Sequence, residues 1–280
     1  MAASERYLQL ADVAAGQWGL VTTAQARHVG LTHQQLTRMA HSGILHRLHH
    51  GVYRLAGVPP DPFTELKVSW LTLDPEATAA DRLGRSDPVG VVSHRSAARL
   101  HQLGDLDADL NEFTLSAGKR TRDPDTRLYK RALEQSDWQV IGGLPTTTVG
   151  VTLADLAAAA TDGGHLGGVV RDAILHAKIT YLNAAAALRP YAHQYGAPLG
   201  DGRTLVKTLL AQTGLSKTIA AAAQFDDIED TWLTDQLNTA ATRYLGGTAF
   251  RRAADQLVVD HELMGATDLY GLRRPPPDTA

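Results

Sequence analysis

Apolar positions along the first sixty residues follow a helical period three times and then switch to alternation. Leu8, Leu10, Val13 and Ala14 recur at helical spacing until Gly16 and Gly19 interrupt them, which predicts a first helix over residues 7–15. A second helix starts at Thr22 or Thr23, with Thr23 as the expected N-cap, runs over residues 24–29 and closes on Gly30 in the left-handed conformation. A third follows at once. Thr32 caps it, Gln35 three positions later completes a capping box, and Leu36, Met39 and Ala40 make its inward stripe before Ser42-Gly43. Residues 44–48 and 52–55 then read as β-prone runs around His49-His50-Gly51, a hairpin whose glycine supplies the positive φ. Helix, helix-turn-helix and hairpin in this order predict a winged-helix domain. Gly57-Val58-Pro59-Pro60-Asp61-Pro62 disfavours helix and sheet alike, so the boundary is expected there: a winged helix-turn-helix over residues 1–60 and an α+β body over 61–280.

Beyond the prolines, residues 63–73 read as a helix, 89–92 as a buried strand and 94–103 as a helix. Residues 112–116, 126–131 and 138–141 alternate like strands, and Gly142-Gly143-Leu144-Pro145 reads as a turn. The pattern then becomes helical over 149–160, 165–178, 184–191, 205–213 and 229–245, with a loose proline-rich tail from Arg273. Strands grouped near residues 89–147 and helices after 149 give an α+β body with a mainly helical second half.

Composition changes this picture in two places. With 280 residues, 44% apolar and 20% charged, the chain has material for more than one compact unit, and it contains no cysteine, which removes thiolate nucleophiles, disulfides and cysteine-based metal sites together. No window approaches the roughly 20 apolar residues of a membrane span and no signal core follows Met1, so the expected location is the cytoplasm. The net charge of −3 hides an asymmetry. Of 27 Lys and Arg and 30 Asp and Glu, five and two lie in residues 1–57, together with six of twelve His, leaving 22 and 28 for the rest. A basic, His-rich head on an acidic body is the distribution expected when one end meets phosphate.

The candidate chemistry is therefore nucleic-acid recognition. Thr32, His33, Gln34, Gln35, Thr37, Arg38 and His41 stand on the third helix, where Gln and Arg suit bidentate contact with adenine and guanine edges. Arg47, His49, His50 and Arg54 in the wing suit backbone phosphates. No Glu or Asp occurs from Val13 through Pro60, which favours DNA over the alternative of a solvated helix and hairpin serving protein contact. A metal site at His46, His49 and His50 is disfavoured because alternation turns neighbouring residues to opposite faces. Asp105, Asp107 and Asp109 lack the glycine and glutamate of a calcium loop, and His261-Glu262-Leu263-Met264-Gly265 lacks the second histidine of a zinc helix. With no phosphate loop, nucleophile elbow or dinucleotide fingerprint, no catalytic residue, metal or cofactor is assigned.

Three segments carry a family likeness: residues 19–26 (GLVTTAQA), 30–36 (GLTHQQL), and 43–57, which include Arg47-Leu48-His49-His50-Gly51-Val52-Tyr53-Arg54. They resemble the N-terminal domain of AbiEi-family antitoxins, and residues 92–103, 143–148 and 152–157 are similar to that family's body, so the likeness spans about residues 8–178. The resemblance implies a non-enzymatic antitoxin of an AbiE-type toxin–antitoxin pair. Its winged helix would bind inverted repeats in duplex DNA at its own promoter and repress the operon. Its C-terminal body would counter a cognate nucleotidyltransferase toxin, with or without direct contact. The recognition helix would be residues 32–41 and the wing 45–55. Where the family's wing is richer in Arg, this one carries His46, His49 and His50, implying phosphate affinity that rises as histidine charges. A Vsr-like nuclease at the C-terminus would need an Asp followed by Glu-x-Lys, a triplet that residues 255–262 do not offer. The other alternative is a ligand-responsive winged-helix regulator without antitoxin activity.

Overall fold

The computed structural model describes residues 3–213. The described residues divide into two compact units, one of residues 3–102 with 106–155 and one of 103–105 with 156–213. The helix expected at 229–245, the tail from Arg273 and the segments 255–262 and 261–265 lie outside the described residues.

The first unit opens with α1 (Ala3–Ala15), β1 (Leu20–Thr22), α2 (Thr23–His28), α3 (His33–His41), β2 (Leu45–His49) and β3 (Val52–Leu55). Strand β3 is central, antiparallel to β1 on one side and β2 on the other. This is the winged-helix arrangement, with β1 as a third strand that the sequence pattern did not separate from α2. The N-cap of α2 is Thr22 and not Thr23: the Thr22 hydroxyl accepts from the backbone N–H of Gln25, whose side chain accepts from the Thr22 N–H. A capping box needs its Gln three residues after the cap, and only Thr22 satisfies that.

Alternation along the strands divides the apolar residues between two cores. Val21, Tyr53 and Leu55 join Leu10, Ala26, Leu31 and Leu36 in a core under the three helices. Leu20 and Val52, on the opposite face, join Leu66, Trp70, Leu71, Phe113 and Leu144 in a second core. That second core is built by α4 (Thr64–Leu73), α5 (Ala79–Leu83), α6 (His94–Leu100) and a five-stranded sheet. The sheet comprises β4 (Val91–Val92), β5 (Asn111–Leu115), β6 (Thr126–Lys130), β7 (Trp138–Ile141) and β8 (Leu144–Thr147), in the order β6-β5-β4-β8-β7. It is mixed: β4 with β8 and β5 with β6 are parallel, the other pairs antiparallel. The expected turn at 142–145 is shorter than read. Gly142 and Gly143 make it, with φ of +57° and +83°, and Leu144-Pro145 already belong to β8. The proline-rich segment 57–62 lies within this one unit.

Helix α7 (Val149–Ala158) runs from the first unit into the second, which then holds α8 (Gly163–Leu175), α9 (Tyr181–Leu188), a 3₁₀ turn (Arg189–Tyr195) and α10 (Gly202–Gln212). α10 packs on α8 and α9 around Leu166, Val170, Leu188, Leu205 and Leu209. The approach to α8 is close enough that a Cβ on Gly167 would meet the Leu209 carbonyl oxygen at 2.8 Å. Among the described residues, no helix is long and apolar enough to cross a membrane.

Candidate nucleic-acid interface

Helix α3 is held by its ends. Thr32 accepts from the Gln35 N–H at 3.2 Å and the Gln35 side-chain oxygen accepts from the Thr32 N–H at 2.8 Å, satisfying two otherwise orphaned donors. Leu36 points into the head core, fully buried, and fixes the rotation of the helix. The opposite face presents Gln34, Arg38 and His41, with His33 at the first turn towards the wing; all four are exposed, and their side chains have no hydrogen-bond or ion-pair partner among the described residues. Thr37 spends its hydroxyl on the His33 carbonyl at 3.0 Å, and Gln35 spends its amide oxygen on the cap. Of the seven α3 positions expected to face nucleic acid, four therefore carry uncommitted polar groups and three serve the helix itself.

The wing divides similarly. Arg47 and His50 are exposed and 3.3 Å apart, guanidinium to Nδ1. A register irregularity between Arg47 and His49 reorients the strand tip, and His49 is half-buried with its Nδ1 enclosed and unpaired. Arg54 lies on the central strand opposite His46 and Leu20, two residues from Val52, so alternation sets it on the face that packs against α4. It is half-buried, and its Nε is enclosed without a partner.

His33, Arg47, His49 and His50 open onto one cleft of about 720 Å³. Two features of that cleft were not read from the sequence. One is α2, which contributes Thr23 and Arg27. The other is the loop carrying Lys119, Arg120 and Arg122, from the middle of the five-stranded sheet's chain. The signal was available as the run Lys119-Arg120-Thr121-Arg122, but the acidic total of residues 58–280 conceals it. Thr32, Gln34, Gln35, Thr37, Arg38, His41 and Arg54 do not line the cleft. Among the described residues no group of His, Asp and Glu is arranged to hold a metal ion.

A second polar cluster sits between α6, the large sheet and α7. His94, buried and at φ +52°, stacks on Tyr129 with ring centroids 3.6 Å apart, and its Nδ1 lies 2.9 Å from the Ser93 hydroxyl. Burial, reinforced by Arg131 and Arg127, pushes its pKa down to about 4. Asp155 accepts from Arg131 at 2.8 Å through one carboxylate oxygen, while the other is enclosed without a partner, 3.9 Å from His94. Burial raises the Asp155 pKa to about 6 against the opposing pull of Arg131. Because His94 stays neutral across the range in which Asp155 ionises, the His94–Asp155 approach is not an ion pair. Glu112 completes the cluster, accepting from the Tyr129 hydroxyl at 2.7 Å and from the Arg95 N–H at 2.8 Å.

Among curated proteins none matches this chain. Residues 8–56, which run from α1 through the end of the wing, match the family model described as transcriptional regulator, AbiEi antitoxin, so the AbiEi resemblance read from the sequence holds for the winged-helix head.

Proposed function

We propose that this protein is the antitoxin of an AbiE-type toxin–antitoxin pair, acting in the cytoplasm without catalysis of its own. Its head binds inverted repeats in its own promoter and represses the operon, and its C-terminal body counters a nucleotidyltransferase toxin. The observation that carries the DNA reading is the uncommitted face of α3: His33, Gln34, Arg38 and His41 project from a helix locked by Leu36 and its capping box, beside a wing bearing Arg47 and His50. Such a face supplies base-edge contacts from the helix and phosphate contacts from the wing. The family match over residues 8–56 supports the same reading.

The test is co-expression of the full-length chain with the product of the adjacent gene, scoring growth together with a reporter driven by the operon's promoter. The intact chain is expected to restore growth and silence the reporter. Arg38→Ala combined with Arg47→Ala is expected to release the reporter and leave rescue intact, because both side chains are exposed and unneeded by either core. A toxic neighbour that the intact chain fails to relieve overturns the antitoxin half of the proposal and leaves a winged-helix regulator. A reporter indifferent to the double variant overturns the assigned DNA face.

A further inference from the structure

The loop between β5 and β6 brings a second set of cations to the side of the wing. Lys119, Arg120 and Arg122 share one cleft with Arg27 and Arg47, so five cations meet there against a single carboxylate, Asp123. That carboxylate is committed within its own loop, accepting from the Thr126 hydroxyl at 2.7 Å and the Asp125 N–H at 3.1 Å. The loop is held in shape: the Lys119 ammonium donates to the Leu73 carbonyl at the end of α4, and the Thr121 hydroxyl accepts from the Asp123 N–H at 3.0 Å. Arg120 and Arg122 are exposed and have no partner among the described residues. Lys119, Arg120 and Arg122 outnumber the loop's own carboxylates, Asp123 and Asp125, and with Arg27 and Arg47 across the cleft the cations repel one another, a repulsion that a polyanion relieves.

We propose that this loop is a second DNA-contacting element, in which Arg120 and Arg122 grip the phosphate backbone of the duplex whose groove the head reads. The inference rests on the DNA-binding reading of the head. The cleft fits an extended backbone better than a small anion. It is open, its cations come from α2, the wing and the loop, and none of its charged side chains is enclosed as a closed ligand pocket would require. Contacts from the loop add affinity and fix the orientation of the head while carrying no sequence information. A wing poor in arginine is thereby supplemented from a segment distant in sequence.

The experiment uses full-length protein and two labelled duplexes of equal length, one from the region upstream of its gene and one scrambled, titrated by fluorescence anisotropy from about 50 to 200 mM salt. Arg120→Ala with Arg122→Ala is expected to weaken binding to both duplexes alike. The slope of log affinity against log salt should fall by about 0.9 for each phosphate contact removed, hence by about 1.8 for the pair. Arg120→Lys with Arg122→Lys is expected to retain most of the slope, which separates lost charge from lost loop structure. An unchanged slope for the alanine pair, with Arg47→Ala lowering it, overturns the loop's role and leaves the head reading standing. Wild-type protein that binds neither duplex overturns both.

Discussion

His94 and Asp155 should pull the pH dependence of stability in opposite directions, and removing either one should expose the other. His94 titrates near 4 in the folded chain against an ordinary 6.5. Between those values the unfolded chain holds the extra proton, so this group makes stability rise with pH. Asp155 titrates near 6 against an ordinary 3.8. Between those values the folded chain holds the extra proton, and stability falls as pH rises. At about 1.36 kcal/mol per pKa unit, and with both side chains largely enclosed, each effect integrates to roughly 3 kcal/mol, and the two nearly cancel over pH 4–6. The perturbations are His94→Asn, since asparagine tolerates the left-handed backbone that His94 adopts, and Asp155→Asn. Urea unfolding of each variant, followed by tryptophan fluorescence from pH 4 to 7 and compared with wild type, removes the background of the other carboxylates. Relative to wild type, His94→Asn should lose about 3 kcal/mol as pH rises from 4 to 6.5, and Asp155→Asn should gain about 3 kcal/mol from 4 to 6. Three parallel profiles would refute the argument, because they would mean that neither group titrates abnormally in the folded chain.

Two further outcomes follow from the packing of the first unit. Arg82 is fully buried, donates to the Trp70 carbonyl at 2.6 Å and to the Val89 carbonyl, and stacks over the Trp70 ring at 3.5 Å. Arg82→Ala should cost about 3–5 kcal/mol in urea unfolding, since it opens a cavity and strands two carbonyls; a loss below about 1 kcal/mol would contradict that enclosure. Gly143 adopts φ +83°, and a Cβ there would meet the Trp18 ring at 2.8 Å, so Gly143→Ala should cost about 1–3 kcal/mol and shift the Trp18 emission. Equal stability and an unchanged spectrum would show that the β7–β8 turn does not approach Trp18 as described.

What was legible in the sequence was what local chemistry dictates. Helix α3 was readable because Gly30, Thr32, Gln35 and Leu36 stand at fixed offsets that admit little else. The wing hairpin was readable from Gly51 between two β-prone runs. Strand β1 was not, because three residues between two helices carry no period, and Leu20–Thr22 become a strand only through pairing with β3, some thirty residues away. Strand β8 was hidden by Pro145, a residue that argues against a central strand, yet its neighbour on β7 is Val140 and its ladder with β4 runs through Thr146. The short α5 carries a Thr78–Asp81 capping box, but its five residues are too few to show an apolar period. Among the candidate site residues, periodicity found the exposed face of α3. It could not tell that Gln35 and Thr37 are committed to the helix, nor that Arg54 shares the face of Val52, because those facts depend on which partner each group finds.

The two cores of the first unit bear on how the proposed functions can be separated. Leu20 and Val52 belong to the winged helix by sequence, yet they pack with Trp70, Phe113 and Leu144. The Thr22 hydroxyl donates to the Pro75 carbonyl and the Gln25 amide to the Ala77 carbonyl at 2.8 Å, so α2 is tied to the segment after α4 through its own capping residues. A chain begun at residue 61 would expose the apolar face that Leu20 and Val52 cover and leave those carbonyls without their donors, and its failure to rescue growth would report misfolding as readily as lost antitoxicity. Point changes at exposed positions avoid this, since Arg38, Arg47, Arg120 and Arg122 contribute to neither core. The same ties have a functional side. A head fastened to its neighbouring sheet through buried contacts holds the loop bearing Arg120 and Arg122 beside the wing in the free protein. On the proposed DNA-binding reading, the ordering cost of bringing those cations together would be met in folding and not in binding, which is how a preorganised surface gains affinity from contacts that are individually weak.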